Sequence, residues 1–537
     1  MKTTAKIMTV LFLSVLCSVG LTDELYVPGQ YPTIQAAINA AVTGDTVLVA
    51  DGTYKGPGNR NIDFLGKAIT VRSQSSPENC IIDCQNHGCG FYFRSTEDRN
   101  SVIDGFTITN GYAPFGGGIY CLGSNPMISN CIIADAIYGS GIYCNNSSPT
   151  INNCTITGNS NRGGIFCDNG SPTINNCIIT DNSAGSGGGI CCIRSSPTIT
   201  NCIISGNRAR AITGKGGGIF SYSSSLTIAN CVITNNTTSF FGGGIFLQKG
   251  SSLTINNCII TGNKAVYGGG ICALDSNATI INCTINDNIA IRDPGGGIFC
   301  DSSACPITNC IIWNNVAPDG SQLYPSTNLT YSCIQNWTYG GEGNIDTDPC
   351  FVQPGYWADI NDPNIIVEPN DPNAIWIEGD YHLLPTSPCI DTGDPNYIPS
   401  PNETDLDGNP RISGTRIDMG AYETNYIKAE MNFTPKIINC NSKGKWVKVH
   451  VVLTDEFLPE DVDVNEPAWA EPIDLESEYI KLLGAGKGHV KLEAAFNRED
   501  FCAQITEPGQ LEVTIIGSLT TGQNFYATDS IKIIPQR

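Results

Sequence analysis

The stretch Ser148-Pro-Thr-Ile-Asn-Asn-Cys-Thr-Ile-Thr-Gly-Asn159, followed after a short loop by Gly163-Gly-Ile-Phe-Cys167, decides the fold because it recurs eight times between residues 125 and 315. The first cysteine of each repeat falls at Cys131, Cys154, Cys177, Cys202, Cys231, Cys258, Cys283 and Cys310. The spacings run from 23 to 29 residues, and almost all insertions enter the loop before the glycines. Stacked units with one variable corner are typical of a solenoid.

Within one repeat the apolar residues alternate over short distances. Ile151 lies three positions before Cys154, Ile156 lies two after it, and Ile165 pairs with Cys167 at the same spacing of two. Such runs predict about three short strands per coil and leave no room for a long helix. A single coil cannot bury its apolar face, whereas coils stacked in parallel at about 4.8 Å can. The sequence therefore predicts an all-β fold, a right-handed parallel β-helix.

Two columns of asparagine accompany the cysteines. One column comes directly before the cysteine, as at Asn153, and the other lies five positions after it in seven of the eight repeats, as at Asn159. Asparagine tolerates left-handed backbone geometry, and stacked amides bond to one another. We therefore expect both columns to support bends and register, and the glycine triplets to supply turn conformations.

The repeats resemble those of the pectin-lyase-like superfamily and of bacterial polymorphic surface proteins with a right-handed β-helix. Tyr31-Pro-Thr-Ile-Gln-Ala-Ala-Ile38, with Gly44-Asp-Thr-Val-Leu-Val and Asp51-Gly-Thr-Tyr after it, is similar to the entry segment of that superfamily. Thr33 is expected to cap a short helix that closes the end of the solenoid.

The chain divides into segments of different character. Residues 1–20 are predicted to be an export signal with a basic start and a short apolar core. Residues 21–340 are expected to form the β-helix, with the cap and first coils over 21–100 and the regular repeats over 101–315. Residues 341–426 resemble the closing segment of secreted bacterial β-helix proteins, called a choice-of-anchor region, and are expected to form the last irregular coils. Residues 427–537 are predicted to be an antiparallel β-sandwich, which resembles Ig-like accessory domains.

Charge is distributed unevenly along the 537 residues. The net charge is -22, and residues 316–537 carry 34 acidic against 13 basic side chains, while residues 101–315 carry eight of each. An acidic C-terminal part argues against nucleic acid and anionic membranes as partners. No second apolar stretch long enough to span a bilayer follows the signal, so a membrane span in the mature chain is not expected.

One position in the repeat points to ligand binding. The residue before the glycines, which we call the stripe, is aromatic or basic in most coils, and such side chains stack on sugar rings and pair with acidic groups. Arg208 and Arg210, in the longest loop, are expected beside it. The alternative is that these side chains only cover a corner of the fold. The stripe and the two arginines are Phe115, Tyr138, Arg162, Ser186, Arg208, Arg210, Lys215, Phe241, Tyr267 and Pro294.

A catalytic centre is not evident. Residues 101–315 contain no Glu, and the Asp residues that share a repeat position, Asp135, Asp181 and Asp287, are separated by roughly 10 and 19 Å at the expected coil spacing. The four histidines are dispersed. No cofactor is predicted, although Asp405 and Asp407 beside Gly408 leave two interpretations open: a calcium site, or turn-capping carboxylates with an Arg411 ion pair.

The chain has 25 cysteines. The thirteen that lie in two repeat columns are interpreted as free core residues rather than disulfides, since Ser, Leu and Ala replace some of them at equivalent places. The disulfide candidates lie outside the columns: Cys440 with Cys502, and Cys350 with Cys389.

Three functions remain on these observations. The first is a secreted or cell-surface protein that binds extracellular polysaccharide or another cell-surface component, or mediates adhesion. The second is a polysaccharide lyase or glycoside hydrolase, and the third is a structural surface-layer component. We favour binding, because carboxylate pairs are missing where the repeats are most regular.

Overall fold

The computed structural model describes residues 22–292, 295–318, 322–324, 328–369, 371–454, 457–486, 489–505 and 507–534. The predicted export signal, up to residue 20, lies outside these ranges. The chain forms two compact units, and their boundaries differ from the predicted ones. The first unit comprises residues up to 346 together with 355–379, and the second comprises 347–354 and 380–537.

The first unit is a parallel β-solenoid whose coils contribute one strand to each of three long sheets, as predicted. The thirteen-stranded sheet consists of Glu24–Val27, Thr46–Val49, Thr70–Ser73, Val102–Asp104, Met127–Ser129, Thr150–Asn152, Thr173–Asn175, Thr198–Thr200, Ser225–Ala229, Ser252–Asn256, Asn277–Ile281, Ile307–Thr308 and Leu329–Thr330.

The twelve-stranded sheet follows it around each coil. Its strands are Gly52–Lys55, Cys80–Asp83, Thr107–Thr109, Ile132–Ala134, Thr155–Thr157, Ile178–Thr180, Ile203–Ser205, Val232–Thr234, Ile259–Thr261, Thr284–Asn286, Ile311–Trp313 and Cys333–Ile334.

The eleven-stranded sheet completes the coil. Its strands are Ile62–Asp63, Phe91–Phe93, Gly116–Leu122, Ser140–Asn145, Ile165–Asp168, Ile190–Ile193, Ile219–Tyr222, Ile245–Gln248, Ile271–Leu274, Ile298–Asp301 and Leu323–Tyr324. Five middle coils add a short fourth sheet that the sequence pattern did not reveal. It consists of Ser183–Ala184, Arg208–Ala209, Thr237–Thr238, Lys264–Ala265 and Ile289–Ala290.

The core consists of columns of identical or similar side chains. Ile151 pairs in register with Ile174, and Ile156 with Ile179, and all four side chains are fully buried. Every strand therefore adds its apolar residues to a continuous core while its backbone bonds to the neighbouring coils. The predicted right-handed parallel β-helix is confirmed.

The two asparagine columns have different roles. The residues before the cysteines have a left-handed backbone, with φ of 53° at Asn153 and 54° at Asn201. The second column is a buried ladder in which Asn182 Nδ2 donates to Asn207 Oδ1 at 3.1 Å, and Asn207 Nδ2 donates to Asn236 Oδ1 at 3.0 Å. The predicted bends and amide ladder are thus present.

A short helix closes the N-terminal end, as predicted. It spans Ile34–Ala40, and Thr33 Oγ1 accepts a hydrogen bond from the Ala36 N–H at 3.2 Å. Ile34, Ala37 and Ile38 are buried, and the Lys67 ammonium donates to the carbonyls of Ile38, Asn39 and Ala41 at its C-terminal end. The helix therefore shields the first apolar coil from water.

The column cysteines are buried thiols with one exception. Cys300 was expected to be a free core residue, but it forms a disulfide with Cys305, five residues on. The turn between them, with Ser302 at a φ of 52°, brings the two Cα atoms to 6.6 Å. The prediction for Cys300 was wrong because it considered neighbours along the column and not those along the chain.

Residues 355–379, which we call the strap, leave the repeat pattern but belong to the first unit. They form a three-stranded antiparallel sheet of Asp362–Ile366, Tyr356–Asp359 and Ala374–Ile377. The strands on either side of the strap in sequence, Phe351–Gln353 and Asp380–Leu383, pair with each other in the second unit. The strap is therefore an excursion from the loop of a hairpin.

The C-terminal part of the second unit contains two packed sheets, and the prediction of an antiparallel region is confirmed. The four-stranded sheet has the order Glu430–Thr434, Trp446–Thr454, His489–Asn497, Tyr479–Gly486. The other contains Tyr426–Lys428, Asn524–Ile534, Gly509–Ser518, Trp469–Glu471 and Leu475–Glu476, with Ile437–Asn439 also pairing with Asn524–Ile534. Tyr426–Lys428 and Ile437–Asn439 run parallel to their partner.

The sheets of the second unit enclose one apolar core. Val449 and Val451 from one sheet and Ile515 and Phe525 from the other are fully buried. Two short helical segments, Pro459–Asp461 and Arg498–Ala503, complete the unit. A disulfide joins Cys440 and Cys502, the pair that the sequence suggested. In the described part of the chain, no helix is long and apolar enough to cross a membrane.

Candidate binding surface

The outer face of the eleven-stranded sheet carries a column of aromatic side chains, which we call the aromatic column. It arises from the middle residue of the motif Gly-Ile-x-Cys, since Ile and Cys point inward and the residue between them points outward. Register pairing places one member on each coil. The members are Tyr92, Tyr120, Tyr143, Phe166, Cys191, Phe220, Phe246, Cys272, Phe299 and Tyr324.

Neighbouring rings of the column contact one another. The Tyr143 and Phe166 rings stack with centroids 5.3 Å apart, those of Phe220 and Phe246 at 5.8 Å, and those of Phe299 and Tyr324 at 5.2 Å. Two cysteines interrupt the rings, and burial raises the pKa of both Cys191 and Cys272 well above its usual value. They are small apolar members of the column rather than reactive thiols.

The predicted stripe lies against this column. The Phe115 ring lies 5.2 Å from that of Tyr143, and the Phe241 ring stacks on that of Phe246 at 5.1 Å. Ser186, Lys215, Phe241 and Tyr267 form successive parallel bridges, which confirms their one-coil spacing. Part of the stripe therefore covers the aromatic column, in line with the alternative that its side chains cover a corner of the fold. The outer side of the stripe remains accessible.

Two stripe cations lie over aromatic faces. The Arg162 guanidinium carbon is 5.3 Å from the Phe166 ring centroid and 5.5 Å from that of Phe115. The Lys215 ammonium lies 5.9 Å from the rings of Phe220 and Phe246 and donates to Gln248 Oε1 at 2.9 Å. Both are half-buried, so the rings hold two positive charges at fixed points of the surface.

Exposure differs along the surface. Phe115 and Tyr138 are 45% and 43% exposed, and the Tyr138 ring stacks on that of Tyr112 at 5.1 Å. Phe241 and Tyr267 are half-buried, whereas Phe246 beneath them is fully buried. The stripe residue Pro294 lies outside the described residues. The N-terminal end of the stripe is thus the part with open aromatic faces.

The structure does not bring Arg208 and Arg210 into the aromatic column. Arg208 is a strand residue of the short fourth sheet, in register with Ser183 and Thr237. Both arginines are exposed and flank the buried Ala209. The chain forms a short strand at Arg208–Ala209 where the sequence predicted only a loop, and the stripe residue Arg162 bridges Ala184 of the same short sheet. A place for Arg208 and Arg210 beside the stripe stays a prediction.

In the acidic turn considered for calcium, backbone N–H groups of the protein donate hydrogen bonds to the Asp405 carboxylate. Asp405 is buried, and its oxygens accept hydrogen bonds from the N–H groups of Asp407, Asn409 and Glu423. Among the described residues, no group of three or more His, Cys, Asp or Glu side chains is arranged to hold a metal ion. A calcium site here stays a prediction.

The buried Arg411 pairs with Glu423 rather than with the turn. Its Nη2 atom lies 3.4 Å from Glu423 Oε1, and both side chains are fully buried. Burial, only partly offset by the Arg411 charge, raises the pKa of Glu423 to about 9. The pair is therefore a structural feature of the second unit.

A histidine bridges two carboxylates in the same unit. His382 Nδ1 lies 2.5 Å from Asp380 Oδ1, and Nε2 lies 2.6 Å from Asp407 Oδ2. Burial opposes the charged imidazolium, but the two carboxylates outweigh it and raise the pKa of His382 to about 9. His382 and the two carboxylates line a pocket of about 420 Å³, whose walls also include Asn409 and Tyr426. With both nitrogens engaged, the imidazolium acts as a bridge rather than as a base.

Two carboxyl groups that the sequence pattern does not connect interact in the first unit. Asp287 lies on a left-handed turn of the solenoid, and the charge of Glu378, which belongs to the strap, acts on it. Burial and then the Glu378 charge raise the pKa of Asp287 to about 8, against a hydrogen bond from the Asn286 amide. The repeats alone do not indicate this interaction, because Glu378 lies outside them.

Comparison with known families identifies the solenoid. A family model described as "Right handed beta helix region" matches residues 67–219 and 164–345, which together span more than half of the chain. The chain belongs to the right-handed β-helix family. The predicted right-handed β-helix repeats are confirmed.

Solved structures of the same architecture are similar to this β-helix protein at low identity. Pectate lyase Pel9A is 17% identical, with 75% of this chain and 97% of that chain covered and a TM-score of 0.42. The A-module of the mannuronan C-5 epimerase AlgE6 of Azotobacter vinelandii is 10% identical, with 59% and 96% covered and a TM-score of 0.28. The receptor-binding tailspike protein of bacteriophage Det7 is 9% identical, with 95% and 98% covered and a TM-score of 0.29. These scores are too low to carry an argument about activity. No curated protein matches the chain.

Proposed function

We propose that this β-helix protein is a secreted or cell-surface protein that binds extracellular polysaccharide along its aromatic column and stripe. One observation carries the proposal: aromatic side chains recur at one-coil spacing on one side of the solenoid, and two cations of the stripe, Arg162 and Lys215, lie over their rings. The coil spacing of about 4.8 Å is of the order of one sugar ring, so successive rings of a glycan chain can meet successive coils.

The chemistry of the surface favours glycans that carry acidic groups. Exposed aromatic faces such as Phe115 and Tyr138 stack on the apolar faces of sugar rings, and Arg162 and Lys215 pair with carboxylate or sulfate groups. One pairing of such a cation with an acidic group of the glycan contributes up to about 1 kcal/mol. Affinity is therefore expected to come from several weak contacts along the column.

Binding is tested with the full-length protein on gels that contain acidic or neutral polysaccharides. We expect Arg162→Ala or Lys215→Ala to weaken retention by acidic polysaccharide roughly two- to fivefold, in line with the cation contribution. Combining both with Phe115→Ala and Tyr138→Ala, which remove the two most exposed rings of the stripe, should abolish it. Lys55→Ala, which removes an exposed cation on the twelve-stranded sheet, is the matched control and should bind as the wild type does. Unchanged retention of the fourfold variant would end the proposal.

A catalytic function has one observation in its favour, the pair of Asp287 and Glu378. Burial and the charge of Glu378 raise the pKa of Asp287 to about 8, and sugar hydrolysis uses one protonated and one ionised carboxyl group. Incubation with a polysaccharide panel, followed by assays of reducing ends and of unsaturated products, decides between binding and cleavage. Product release that Asp287→Asn abolishes would establish an enzyme.

A further inference from the structure

The strap covers part of the outer face of the twelve-stranded sheet. Thr234 and Thr261, neighbours in one outward column, are 9% and 0% exposed, whereas Thr180 and Ser205 of the same column are half-buried. The covered surface lies on a different sheet from the aromatic column, so the two surfaces are independent.

The strap is held through specific polar contacts. The Thr261 hydroxyl lies 2.7 Å from Glu378 Oε1, and the Thr234 hydroxyl donates to Glu378 Oε2. The Trp376 indole N–H donates to the same carboxylate at 3.2 Å, and the Lys264 ammonium donates to the Pro369 carbonyl at 2.8 Å. Two hydroxyls and an indole therefore bind one carboxylate, while a lysine binds the peptide backbone.

An apolar contact completes the arrangement. The Trp376 ring packs directly on Gly262, where a Cβ atom would lie 2.6 Å from the indole. Trp376 is 8% exposed, and its ring centroid is 5.3 Å from that of Trp357, which also belongs to the strap. Only glycine leaves room for the indole ring at this position, because any other amino acid would place a Cβ atom against it.

The same side-chain arrangement exists two coils earlier, where both residues are only half-buried. The hydroxyl oxygens of Thr180 and Ser205 are 3.2 Å apart, as those of Thr234 and Thr261 are 3.1 Å apart. Arg208 takes the register position of Lys264. The repeats therefore build a paired-hydroxyl and cation motif on this face, and the strap is bound at one copy of it.

We propose that Thr234, Thr261, Gly262 and Lys264 form a binding site for an acidic peptide segment, and that the strap occupies this site as an internal ligand. A peptide is favoured over a glycan because the occupant is a chain segment in which Trp376 lies on the strand Ala374–Ile377 and Glu378 follows directly after that strand, and because Lys264 recognises a main-chain carbonyl. Opening of the strap would expose the site to a partner that carries a similar segment.

The first test removes the strap and measures whether the vacated site binds a peptide with the strap's sequence. Because Phe351–Gln353 and Asp380–Leu383 pair with each other, replacing residues 355–379 by two glycines leaves a short hairpin. Ligand-observed NMR with the peptide Ala-Ile-Trp-Ile-Glu-Gly-Asp, residues 374–380, should show binding to this variant and at least tenfold weaker binding to the intact protein.

Matched substitutions make this test specific. The peptide with Gln in place of Glu378 should bind at least fivefold more weakly, and so should the native peptide when the strap-free protein carries Thr261→Val. Thr157→Val, in the same column but outside the site, is the control and should leave binding unchanged. Equal binding of the Glu and Gln peptides, or binding of polygalacturonate instead of the peptide, would overturn the proposal.

A second measurement uses the intact chain and does not depend on the strap-free variant. A cysteine introduced by Thr261→Cys should react with a charged thiol reagent at least tenfold more slowly than one introduced by Ser205→Cys. Glu378→Gln should raise the rate at position 261 several-fold and leave position 205 unchanged. Equal rates at both positions in the native strap background would contradict an occupied site. Neither measurement involves polysaccharide binding at the aromatic column.

Discussion

Buried asparagine amides determine the stability of single coils. Asn207 is fully buried, accepts from the N–H and amide of Asn182, and donates to Asn236 and to the Ile179 carbonyl. Each ladder amide therefore satisfies groups on both adjacent coils. Its loss leaves polar groups buried without partners, which costs more than the hydrogen bonds themselves contribute.

We predict that Asn207→Ala lowers the free energy of unfolding by about 2–4 kcal/mol, since several buried groups lose their partners. Chemical denaturation followed by circular dichroism measures the change. Asn152→Ala is the control, because that half-buried amide bonds to Asn175 on an outer face where water can replace it. A loss for Asn207→Ala no larger than that for Asn152→Ala would contradict the ladder's role.

His382 couples the stability of the second unit to pH. Its pKa of about 9 in the folded chain exceeds the ordinary value of 6.5, so its stabilising effect is complete below about 6.5 and is lost as pH rises through 9. We predict that His382→Gln lowers the midpoint of unfolding of the second unit at pH 6 and has little effect at pH 10. Thermal scans of both proteins at the two pH values measure it, and an effect that is equal at both would be inconsistent with a charged bridge.

Some residue roles were predictable from the sequence and others were not. The asparagine columns were predictable because every coil repeats them. The aromatic column was predictable in principle, because the outward residue of the motif Gly-Ile-x-Cys is aromatic at Tyr143, Phe166 and Phe246. Glu378 could not be predicted as the partner of Thr261, because 117 residues separate them and the strap has no repeat to align with.

At the scale of elements, the strap and the sheet beneath it form a pair whose contact includes two carboxyl groups. Asp287 faces Glu378 across this contact and is bonded by the Asn286 amide on its own strand end. Opening of the strap would return Asp287 to water and remove the Glu378 charge. Closure therefore favours the protonated form of Asp287, and opening favours the ionised form.

The strap is predicted to open more readily as pH rises. Between the ordinary pKa of 3.8 and the raised value of about 8, the closed state binds a proton that the open state lacks, so each rise in pH favours opening until about pH 8. The rate ratio for thiol labelling at position 261 relative to position 205 should increase across that range. A ratio is used because the rate of labelling at both positions rises with pH as the thiol ionises, and this common effect divides out.

Asp287→Asn is the matched variant for this prediction, since it keeps the side-chain shape and removes the titrating group. Its labelling ratio should be flat from pH 5 to pH 8. A wild-type ratio that is flat, or a variant ratio that rises as steeply as that of the wild type, would contradict control by Asp287.

Other element-scale features separate what the sequence could and could not predict. The short alternating runs within each repeat predicted three strands per coil. The short fourth sheet was not predictable, because two-residue strands such as Arg208–Ala209 carry no alternation. Thr33 and the buried face of the first helix were predictable from local sequence alone. The Cys300–Cys305 disulfide was missed because it depends on a turn rather than on the column.

The whole molecule combines a solenoid of balanced charge with an acidic C-terminal part. Residues 101–315 carry eight acidic and eight basic side chains, so Arg162 and Lys215 are not opposed by a charge surplus on the solenoid that holds them. The division of the chain into two units was predictable only in outline. The assignment of residues 355–379 to the solenoid depends on contacts such as Trp376 with Gly262, which no local pattern indicates.

The central claim is that polysaccharide lies along the aromatic column and stripe of the solenoid. Hydroxyl-radical footprinting of the full-length protein, with and without an acidic polysaccharide that it retains, tests this most directly. We predict protection of Phe115, Tyr138, Phe241 and Tyr267, with no change at Tyr339, which is 84% exposed and lies outside the column. Uniform protection of all exposed tyrosines, or protection confined to the second unit, would contradict the claim.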